Sequence, residues 1–227
     1  MMIRVSLLDV GGITPEQFQA AAARLSDVRQ AKIAAMRFEK DKKLSLGAGL
    51  LLDQGLGAYG LRERTVQIAC GANGKPYLPE HPGLHFNLSH SGTLAMAVFS
   101  DREIGCDVEQ KKTASFRVAD RFFCPEEQQF VAKGVTSEER TDRFFRIWTL
   151  KESFLKVTGE GTHFPLNRFC IHLGEAPARL TVDGRCADYA LYEFSLSGYR
   201  AAVCAAGDIR EAGDEVFFSF QNLQDVV

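Results

Sequence analysis

The sequence contains no apolar run that approaches the ~20 residues a helix needs to cross a bilayer. It also has no excess of basic residues, since 27 Lys and Arg stand against 29 Asp and Glu and the formal net charge is −2. This balance favours neither a nucleic acid nor a membrane surface as partner. The segment MMIRVSLLDVGG is typical of a β-strand that ends in a glycine turn rather than of a signal peptide, so we expect a cytoplasmic protein.

The sequence has no Cys-x-x-Cys pair, and its cysteines are widely scattered, mostly among apolar neighbours. We therefore expect them to be reduced, small hydrophobic residues rather than metal ligands or disulfide partners. The six cysteines are Cys70, Cys106, Cys124, Cys170, Cys186 and Cys204.

Helix signals dominate the first part of the chain. Thr14, Pro15 and Gln17 form a capping-box start for a helix that reaches about Leu25, and Ser26 can cap a second helix. The apolar segment KKLSLGAGLLLDQGL predicts a third helix that belongs to the core. There is no internal repeat, low-complexity segment or long linker.

Strand signals and helix signals then alternate once more. TVQIAC, LHFNLSH, TLAMAVFS and EIGCDVE predict an antiparallel meander. RVADRFF and PEEQQFVAK predict short helices, and a long helix should start at Thr136 and end near Gly159. RFCIHL, ARLTV, DYALYEF, YRAAVCA and EVFFSF predict further strands. The helices-then-strands order occurs twice, which predicts an α+β protein with halves at 1–104 and 105–227.

Two acids lie two residues apart in the strand segment IGCDVEQ. Because alternate side chains of a strand share a face, Asp107 and Glu109 should project together and repel each other unless a cation or water lies nearby. With Glu152 as a third oxygen ligand, they could hold Mg²⁺, which keeps open positions for substrate phosphates. Taken alone, an Asp-x-Glu pattern is more often the polar solvent face of an edge strand.

The segment WTLKESFLK places Trp148, Glu152 and Lys156 on one face of the long helix, because they follow one another at intervals of four. Taken alone, this pattern favours an exposed Glu/Lys pair beside a half-buried tryptophan. The acids of the strand are what make a functional site the better hypothesis.

Two loops offer groups that can bind phosphate. FNLSHSG leaves Ser89, His90 and backbone amides near a turn, although His90 could equally be satisfied by local hydrogen bonds. NGKPYLP holds Lys75 in a stiff turn, although a lone loop lysine is most often only solvated. Further cations that a phosphate-rich ligand would need are Arg29, Lys32, Lys42 and Lys43.

The order of these motifs resembles that of a known enzyme family. The Sfp-type (surfactin-synthetase-activating) 4′-phosphopantetheinyl transferases are closely resembled by the order GKPYLP, FNLSHSG, IGCDVE, RFF followed by Glu127, and WTLKESFLKVTGEG. The resemblance extends from about the second helix to YRAAVCAA near Ala206. Each motif is weak alone, but their shared order and spacing are specific.

The resemblance implies a pseudo-twofold α+β monomer whose halves form a cleft for coenzyme A and Mg²⁺. Such an enzyme moves the 4′-phosphopantetheine arm of coenzyme A to a serine of an apo acyl or peptidyl carrier protein and releases adenosine 3′,5′-bisphosphate. It implies that Asp107, Glu109 and Glu152 bind the metal and that Lys156 contacts the transferred phosphate.

The nucleotide end of coenzyme A is assigned by the same resemblance. Lys75, Ser89 and His90 match the positions that hold it, while Arg29, Lys32 and Ser45 match contacts to the 3′-phosphate. Leu44 replaces an arginine that many relatives carry, and Lys43 is the candidate to take that role.

The chemistry of a phosphoryl transfer agrees with these assignments. A cation that bridges the diphosphate oxygens neutralises their charge and would let Asp107 and Glu109 share a face. Glu152 is the candidate base for the serine hydroxyl, directly or through water, although metal ligation would weaken it as a base. Two alternatives remain: a phosphodiesterase that transfers the arm to water, and a module that only binds a nucleotide or a carrier protein.

Overall fold

The computed structural model describes residues 2–161, 164–174, 178–207 and 215–223. The described part is α+β, with two main sheets packed face to face and helices on their outer faces. The helices are α1 (Pro15–Ala22), α2 (Asp27–Ala34), α3 (Glu39–Gly57), α4 (Phe116–Phe122), α5 (Pro125–Ala132) and α6 (Ser137–Thr158). The strands are β1 (Met2–Asp9), β2 (Ala69–Cys70), β3 (Pro76–Tyr77), β4 (His85–Ser91), β5 (Leu94–Ser100), β6 (Ile104–Gln110), β7 (Phe169–His172), β8 (Arg179–Val182), β9 (Arg185–Cys186), β10 (Tyr189–Leu196), β11 (Tyr199–Ala206) and β12 (Glu215–Gln221).

The first main sheet has the strand order β12-β1-β5-β4. β5 is antiparallel to both neighbours, whereas β12 returns from the end of the described chain to pair parallel with β1. α3 covers this sheet so closely that a Cβ on Gly55 would lie 1.9 Å from the ring of Phe99. One strand of the proposed second half, 105–227, therefore completes the sheet of the first half, 1–104, and the boundary between the halves stays a prediction.

The second main sheet has the order β10-β11-β6 and is antiparallel throughout. α6 packs across β6 and β11, and a small sheet of β7, β8 and β9 flanks α5 and α6. Each main sheet thus carries one long helix on its outer face, which agrees with the predicted α+β arrangement of two similar halves.

Apolar side chains fill the space between the two sheets. Alternate residues of β1 and β5 face inward, and so do alternate residues of β6 and β11. This layer fixes β4 and β6 side by side, and the site described below lies along that junction. The members of the layer include Ile3, Val5, Leu7, Met96, Val98, Cys106, Val108, Ala201 and Val203.

Four of the predicted helix ends are confirmed. Thr14 and Gln17 form the capping box of α1, and the Ser26 hydroxyl accepts the Arg29 N–H at the start of α2. Thr136 caps α6, which ends at Gly159 with φ = 70°, a left-handed conformation that glycine adopts without a Cβ clash. α1 ends at Ala22 rather than near Leu25.

Two strand predictions are wrong. Of TVQIAC, only Ala69 and Cys70 form a strand, because their partner is the two-residue strand at Pro76, whose nitrogen has no hydrogen to donate. The meander also breaks before β6, which pairs with β11 instead of β5. Both edges of β5 are already occupied by β1 and β4, so β6 has to join the other sheet.

The expectation of six reduced cysteines is also wrong for two of them. Cys124, at the N-cap of α5, and Cys170, in β7, form a disulfide across 46 residues of sequence. Their Cα atoms are 5.9 Å apart because α5 packs on β7, a contact that the spacing of cysteines along the chain does not reveal. The cysteines described as free are Cys70, Cys106, Cys186 and Cys204.

Among the described helices, none combines the length and the apolar character that a membrane span requires.

Candidate active site

Side chains rather than backbone groups join β4 to β6. Asn87, Ser89 and Ser91 share one face of β4, and we call these three residues the side-chain ladder. The Cys106 N–H donates to Asn87 Oδ1 at 3.1 Å, the Val108 N–H donates to Ser89 Oγ at 3.3 Å, and the Gln110 N–H donates to Ser91 Oγ at 3.1 Å. The ladder thus ties the first sheet to the strand that carries Asp107 and Glu109.

Both serines of the ladder also orient the acids of β6. Ser89 Oγ donates to Asp107 Oδ1 at 2.9 Å, and Ser91 Oγ donates to Glu109 Oε2 at 2.6 Å. Each hydroxyl therefore accepts a hydrogen bond from a β6 amide and donates its single proton to the acid that precedes that amide in sequence. These contacts hold both acids in defined positions. The two acids face the junction, as their spacing predicted.

Asp107 is buried, and its second oxygen, Oδ2, has no hydrogen-bond partner among the described residues. A buried polar atom without a partner is uncommon and calls for an explanation such as an ion or a ligand. A carboxylate oxygen that accepts nothing from the protein is a suitable ligand for a hard cation. This atom is the observation that fits a metal site best.

The approach of α6 to β6 depends on Gly105. A Cβ at this position would lie 2.2 Å from the Ser153 carbonyl oxygen and 2.4 Å from the Val157 nitrogen. The missing side chain lets the helix backbone touch the strand, so that Glu152 and Lys156 reach the edge of β6. Sequence analysis quoted Gly105 within IGCDVE but assigned it no role.

Lys156 forms the centre of the polar network. Its Nζ donates to Asp107 Oδ1 at 2.7 Å and to Ser89 Oγ at 2.9 Å. Burial alone would lower the pKa of Lys156, but the negative charge of Asp107 offsets this effect, and the pKa lies above its ordinary value. The ammonium therefore stays charged at the place where a phosphate would meet the acids.

The other two acids have raised pKa values. Burial is the main cause of the raised pKa of Glu152, and the charges of Asp107 and Glu109 add to it. Burial likewise raises the pKa of Glu109, with Asp107 contributing, although the Ser91 hydrogen bond opposes the shift. A cation bound between these acids would offset the repulsion that disfavours the ionised forms of Glu109 and Glu152.

The three acids have not converged on one point. In the part of the chain that the structure describes, sets of three ligand atoms within 4.8 Å of one another occur only elsewhere. Asp107, Glu109 and Glu152 are therefore close enough to interact electrostatically, and a shared cation would require small side-chain rotations.

Glu152 and Lys156 line a pocket of ≈ 310 Å³ together with the loop from Asn73 to Pro76. An adjoining groove of ≈ 630 Å³ is lined by Arg29 and Lys32. Both spaces are lined by Gly74, Pro76 and Leu88. They therefore form one cleft, with Glu152 and Lys156 at one end and Arg29 and Lys32 at the other. We call it the cleft.

The predicted cations differ in how free they are to bind a ligand. Lys32 is exposed at the cleft, whereas the Arg29 guanidinium pairs with Glu63 at 3.2 Å. Lys75 lines the cleft, but its Nζ contacts Glu103 and donates to the Val157 carbonyl at 2.9 Å. A ligand phosphate at Lys75 would have to compete with these partners.

His90 is exposed on β4 and is influenced by the charges of both Lys156 and Lys32. Desolvation is the main cause of its lowered pKa, and the charges of Lys156 and Lys32 lower the pKa further. The imidazole is thus neutral over a wider pH range and sits within the electrostatic reach of both lysines.

Lys43 and Ser45 do not line the cleft. The Lys43 ammonium donates to the Ile13 carbonyl at 2.8 Å, next to the turn after β1. Ser45 is buried within α3, as is Leu44, which belongs to the core rather than to a surface where an arginine would lie. Their assignment to the 3′-phosphate stays a prediction.

A buried ion pair that sequence analysis did not find supports the helix of the site. Lys151 Nζ donates to Glu127 Oε1 and to the Phe169 carbonyl, both at 2.8 Å, and both charged side chains are 0% exposed. Glu127 also accepts the N–H groups of Cys124 and Ile171. The pair links α5, α6 and β7 one residue before Glu152.

Comparison with known proteins gives concordant matches. The family model of the 4′-phosphopantetheinyl transferase superfamily matches residues 103–204, and the model of the 4′-phosphopantetheinyl transferase N-terminal region matches residues 13–101. Together the two matched ranges include each residue assigned to the site.

Individual relatives agree. The chain is 36% identical over 152 residues to 4′-phosphopantetheinyl transferase Sfp of Bacillus subtilis (strain 168), covering 65% of this chain and 66% of that protein. It is 35% identical to a second 4′-phosphopantetheinyl transferase of Bacillus subtilis, covering 66% and 67%. It is 37% identical to HetI of Nostoc sp., covering 64% of each. The alignments thus span about two thirds of the length of these relatives.

Proposed function

Because the chain belongs to the 4′-phosphopantetheinyl transferase superfamily, we propose that it transfers the 4′-phosphopantetheine arm of coenzyme A to a serine of an apo acyl or peptidyl carrier protein. The observation that carries the proposal is the network of Asp107, Ser89 and Lys156, with the unpartnered Asp107 Oδ2 beside Glu109 and Glu152. A module that only binds would not need three acids and a lysine within electrostatic reach of one another.

Asp107, Glu109 and Glu152 would hold Mg²⁺, which when bound would neutralise the diphosphate of coenzyme A. Lys156, charged and fixed by Asp107, would donate to an oxygen of the phosphate being transferred. Arg29 and Lys32, at the other end of the cleft, would bind the adenosine phosphates. The remaining contacts to the nucleotide end of coenzyme A are assigned to Lys75, Ser89, His90, Lys43 and Ser45.

The bond formed, the bond broken and the proton released in this reaction can all be accounted for. The carrier serine oxygen attacks the phosphorus on the pantetheine side, the bond from that phosphorus to the bridging oxygen breaks, and adenosine 3′,5′-bisphosphate leaves. Glu152 accepts the serine proton, directly or through a water molecule. Its pKa is raised by burial, so its carboxylate is a stronger base than an exposed glutamate.

The direct test is incubation with coenzyme A, Mg²⁺ and a panel of apo carrier proteins, followed by intact-mass measurement. We expect one phosphopantetheinyl group to be added to at least one carrier. Free phosphopantetheine without a modified carrier would identify the phosphodiesterase instead. Binding of coenzyme A without any turnover would identify the binding module. A monomeric state and a cytoplasmic location belong to the same proposal.

Asp107→Ala should weaken Mg²⁺ dependence and coenzyme A binding together. The substitution removes the oxygen that holds Lys156 and the oxygen that has no partner in the protein. The measurement is a Mg²⁺ titration of activity with a parallel binding isotherm for coenzyme A. A Mg²⁺ titration that overlays that of the unmodified protein would exclude Asp107 as a ligand.

Ser91→Ala should raise the Mg²⁺ concentration needed for half-maximal activity by about 10–100-fold, the effect of losing a hydrogen bond to a charged group worth about 1.5–3 kcal/mol. The reason is that Ser91 holds Glu109 in position. Ser6→Ala, which removes a serine contact to Ser219 outside the cleft, is the matched control. Equal Mg²⁺ requirements in both variants would show that Ser91 does not position Glu109.

A further inference from the structure

We propose that Cys124, Cys170 and His172, with Glu126 as fourth ligand, form a site for a borderline-soft divalent cation such as Zn²⁺ when the Cys124–Cys170 disulfide is reduced. The site lies where the first turn of α5 meets β7. It is separate from the acids of the cleft. Thiolate, imidazole and carboxylate are the ligands that Zn²⁺ takes in four-coordinate sites.

The geometry brings the ligand atoms together. Atoms of Cys170, His172 and Glu126 all lie within 4.8 Å of one another, and a second such set consists of Cys124, Glu127 and Cys170, so Cys170 is common to both. His172 Nδ1 is 2.9 Å from Glu126 Oε2, and Cys170 Sγ is 3.9 Å from the same oxygen. Two ligands about 2.0–2.3 Å from one tetrahedral ion are about 3.3–3.8 Å apart, and the two measured separations lie just below and just above this range.

The backbone supports this set of ligands. Cys170 and His172 are two residues apart on β7 and therefore share a face, which is turned toward α5. Cys124 occupies the N-cap of α5, where the helix dipole favours a thiolate. Glu126 follows in the first turn of the same helix.

Metal-binding histidines usually form a hydrogen bond through the ring nitrogen that does not bind the metal, and His172 has such a contact. Its Nε2 is 2.9 Å from Thr181 Oγ1 on the neighbouring strand β8, which leaves Nδ1 directed at Glu126. A hydrogen bond to the remote nitrogen fixes the orientation of the ring, and when Nε2–H donates to the Thr181 hydroxyl, Nδ1 has a free lone pair for a metal. An ordinary surface ion pair of histidine with glutamate would not need this second contact.

Reduction of the disulfide is chemically available to this protein. Two molecules of a small thiol break the sulfur–sulfur bond, leave two cysteine thiols and join to each other as a disulfide. Coenzyme A is itself a thiol, so an enzyme that uses it works in the presence of such a reductant; this step rests on the proposed function. Cation binding then releases the thiol protons to solvent. The cation would hold α5 against β7 as the disulfide does.

The test is Co²⁺ binding to the full chain, reduced and freed of metal with a chelator, in the absence of coenzyme A. We expect one Co²⁺ per chain, a thiolate-to-cobalt charge-transfer band, strong visible absorption typical of tetrahedral Co²⁺, and displacement by Zn²⁺. Thiol counting should give six reactive cysteines after denaturation of the reduced protein and four when the disulfide is intact. The oxidised protein should show no thiolate band.

Variants separate this site from other thiols. Cys170→Ser should abolish the charge-transfer band. Thr181→Val should weaken Co²⁺ binding about 10–100-fold. Cys70→Ser, at an exposed free cysteine outside the proposed site, should leave both the band and the affinity for Co²⁺ unchanged. Absence of the band in the reduced protein, or its persistence in Cys170→Ser or in the oxidised protein, would overturn the proposal and leave a disulfide only. The comparison of oxidised with reduced protein needs no substitution, so a variant that fails to fold does not remove the test.

Discussion

Glu152→Gln is expected to lower the rate of phosphopantetheine transfer by about 10²–10⁴-fold, the usual contribution of a general base. Glutamine has nearly the same shape as glutamate but cannot accept the serine proton. It also removes one of the three charges that would bind Mg²⁺. Because Glu152 is only half-buried and has no hydrogen bond described within the protein, the fold should be retained.

The measurement is a single-turnover rate with coenzyme A and an apo carrier protein at saturating Mg²⁺, with circular dichroism to check the fold. Glu138→Gln, at an exposed position in the first turn of the same helix, is the matched control and should keep full activity. A rate for Glu152→Gln equal to that of the control would remove Glu152 from the mechanism.

Lys151→Met is expected to lower the free energy of unfolding by about 3–5 kcal/mol, because removal of one partner leaves the other charge buried without compensation. Glu127 would keep two backbone N–H donors but lose the ammonium at 2.8 Å. Burial already raises the pKa of Glu127 and lowers that of Lys151, which shows that both charges are held against a desolvation penalty.

The pH dependence of this variant follows from the same shift. Without Lys151, the pKa of Glu127 in the folded state should rise further above its value in the unfolded chain. A group with a raised folded-state pKa contributes stability at low pH and loses it as pH rises through that pKa. The deficit of Lys151→Met relative to the unmodified protein should therefore shrink as the pH is lowered toward the range where Glu127 is protonated.

Urea unfolding at several pH values measures both effects. The double variant Lys151→Met with Glu127→Leu is the matched comparison, since replacing both partners by apolar residues removes the uncompensated charge and should restore much of the lost stability. A deficit in Lys151→Met that does not change with pH would show that Glu127 carries no charge in the folded protein.

Much of the fold could be predicted from local signals. The caps at Thr14, Ser26 and Thr136 and the glycine at Gly159 act within one turn of a helix, so the sequence alone located these ends. The alternation in IGCDVEQ likewise placed Asp107 and Glu109 on one face. Ligand chemistry suggested Glu152 as a third metal ligand, and family resemblance connected these acids to Lys156.

Features that depend on packing between distant segments could not be predicted. The pairing of β6 with β11 follows from the occupied edges of β5, and the Cys124–Cys170 bond follows from the packing of α5 on β7. No sequence pattern around Lys151 distinguishes it from an exposed lysine, and only the structure shows that it is fully buried. The one available signal for Ser91 was its two-residue spacing from Ser89.

The side-chain ladder between β4 and β6 makes the orientation of the acids a property of how the two sheets are assembled. Backbone amides of one sheet are satisfied by hydroxyl and amide groups of the other, so the sheets cannot slide by a residue without exposing buried donors. A slide by one residue would also take Ser89 and Ser91 away from the carboxylates of Asp107 and Glu109. The protein thereby couples the correct alignment of its sheets to the orientation of its acids: a misaligned form loses the hydroxyl groups that hold them.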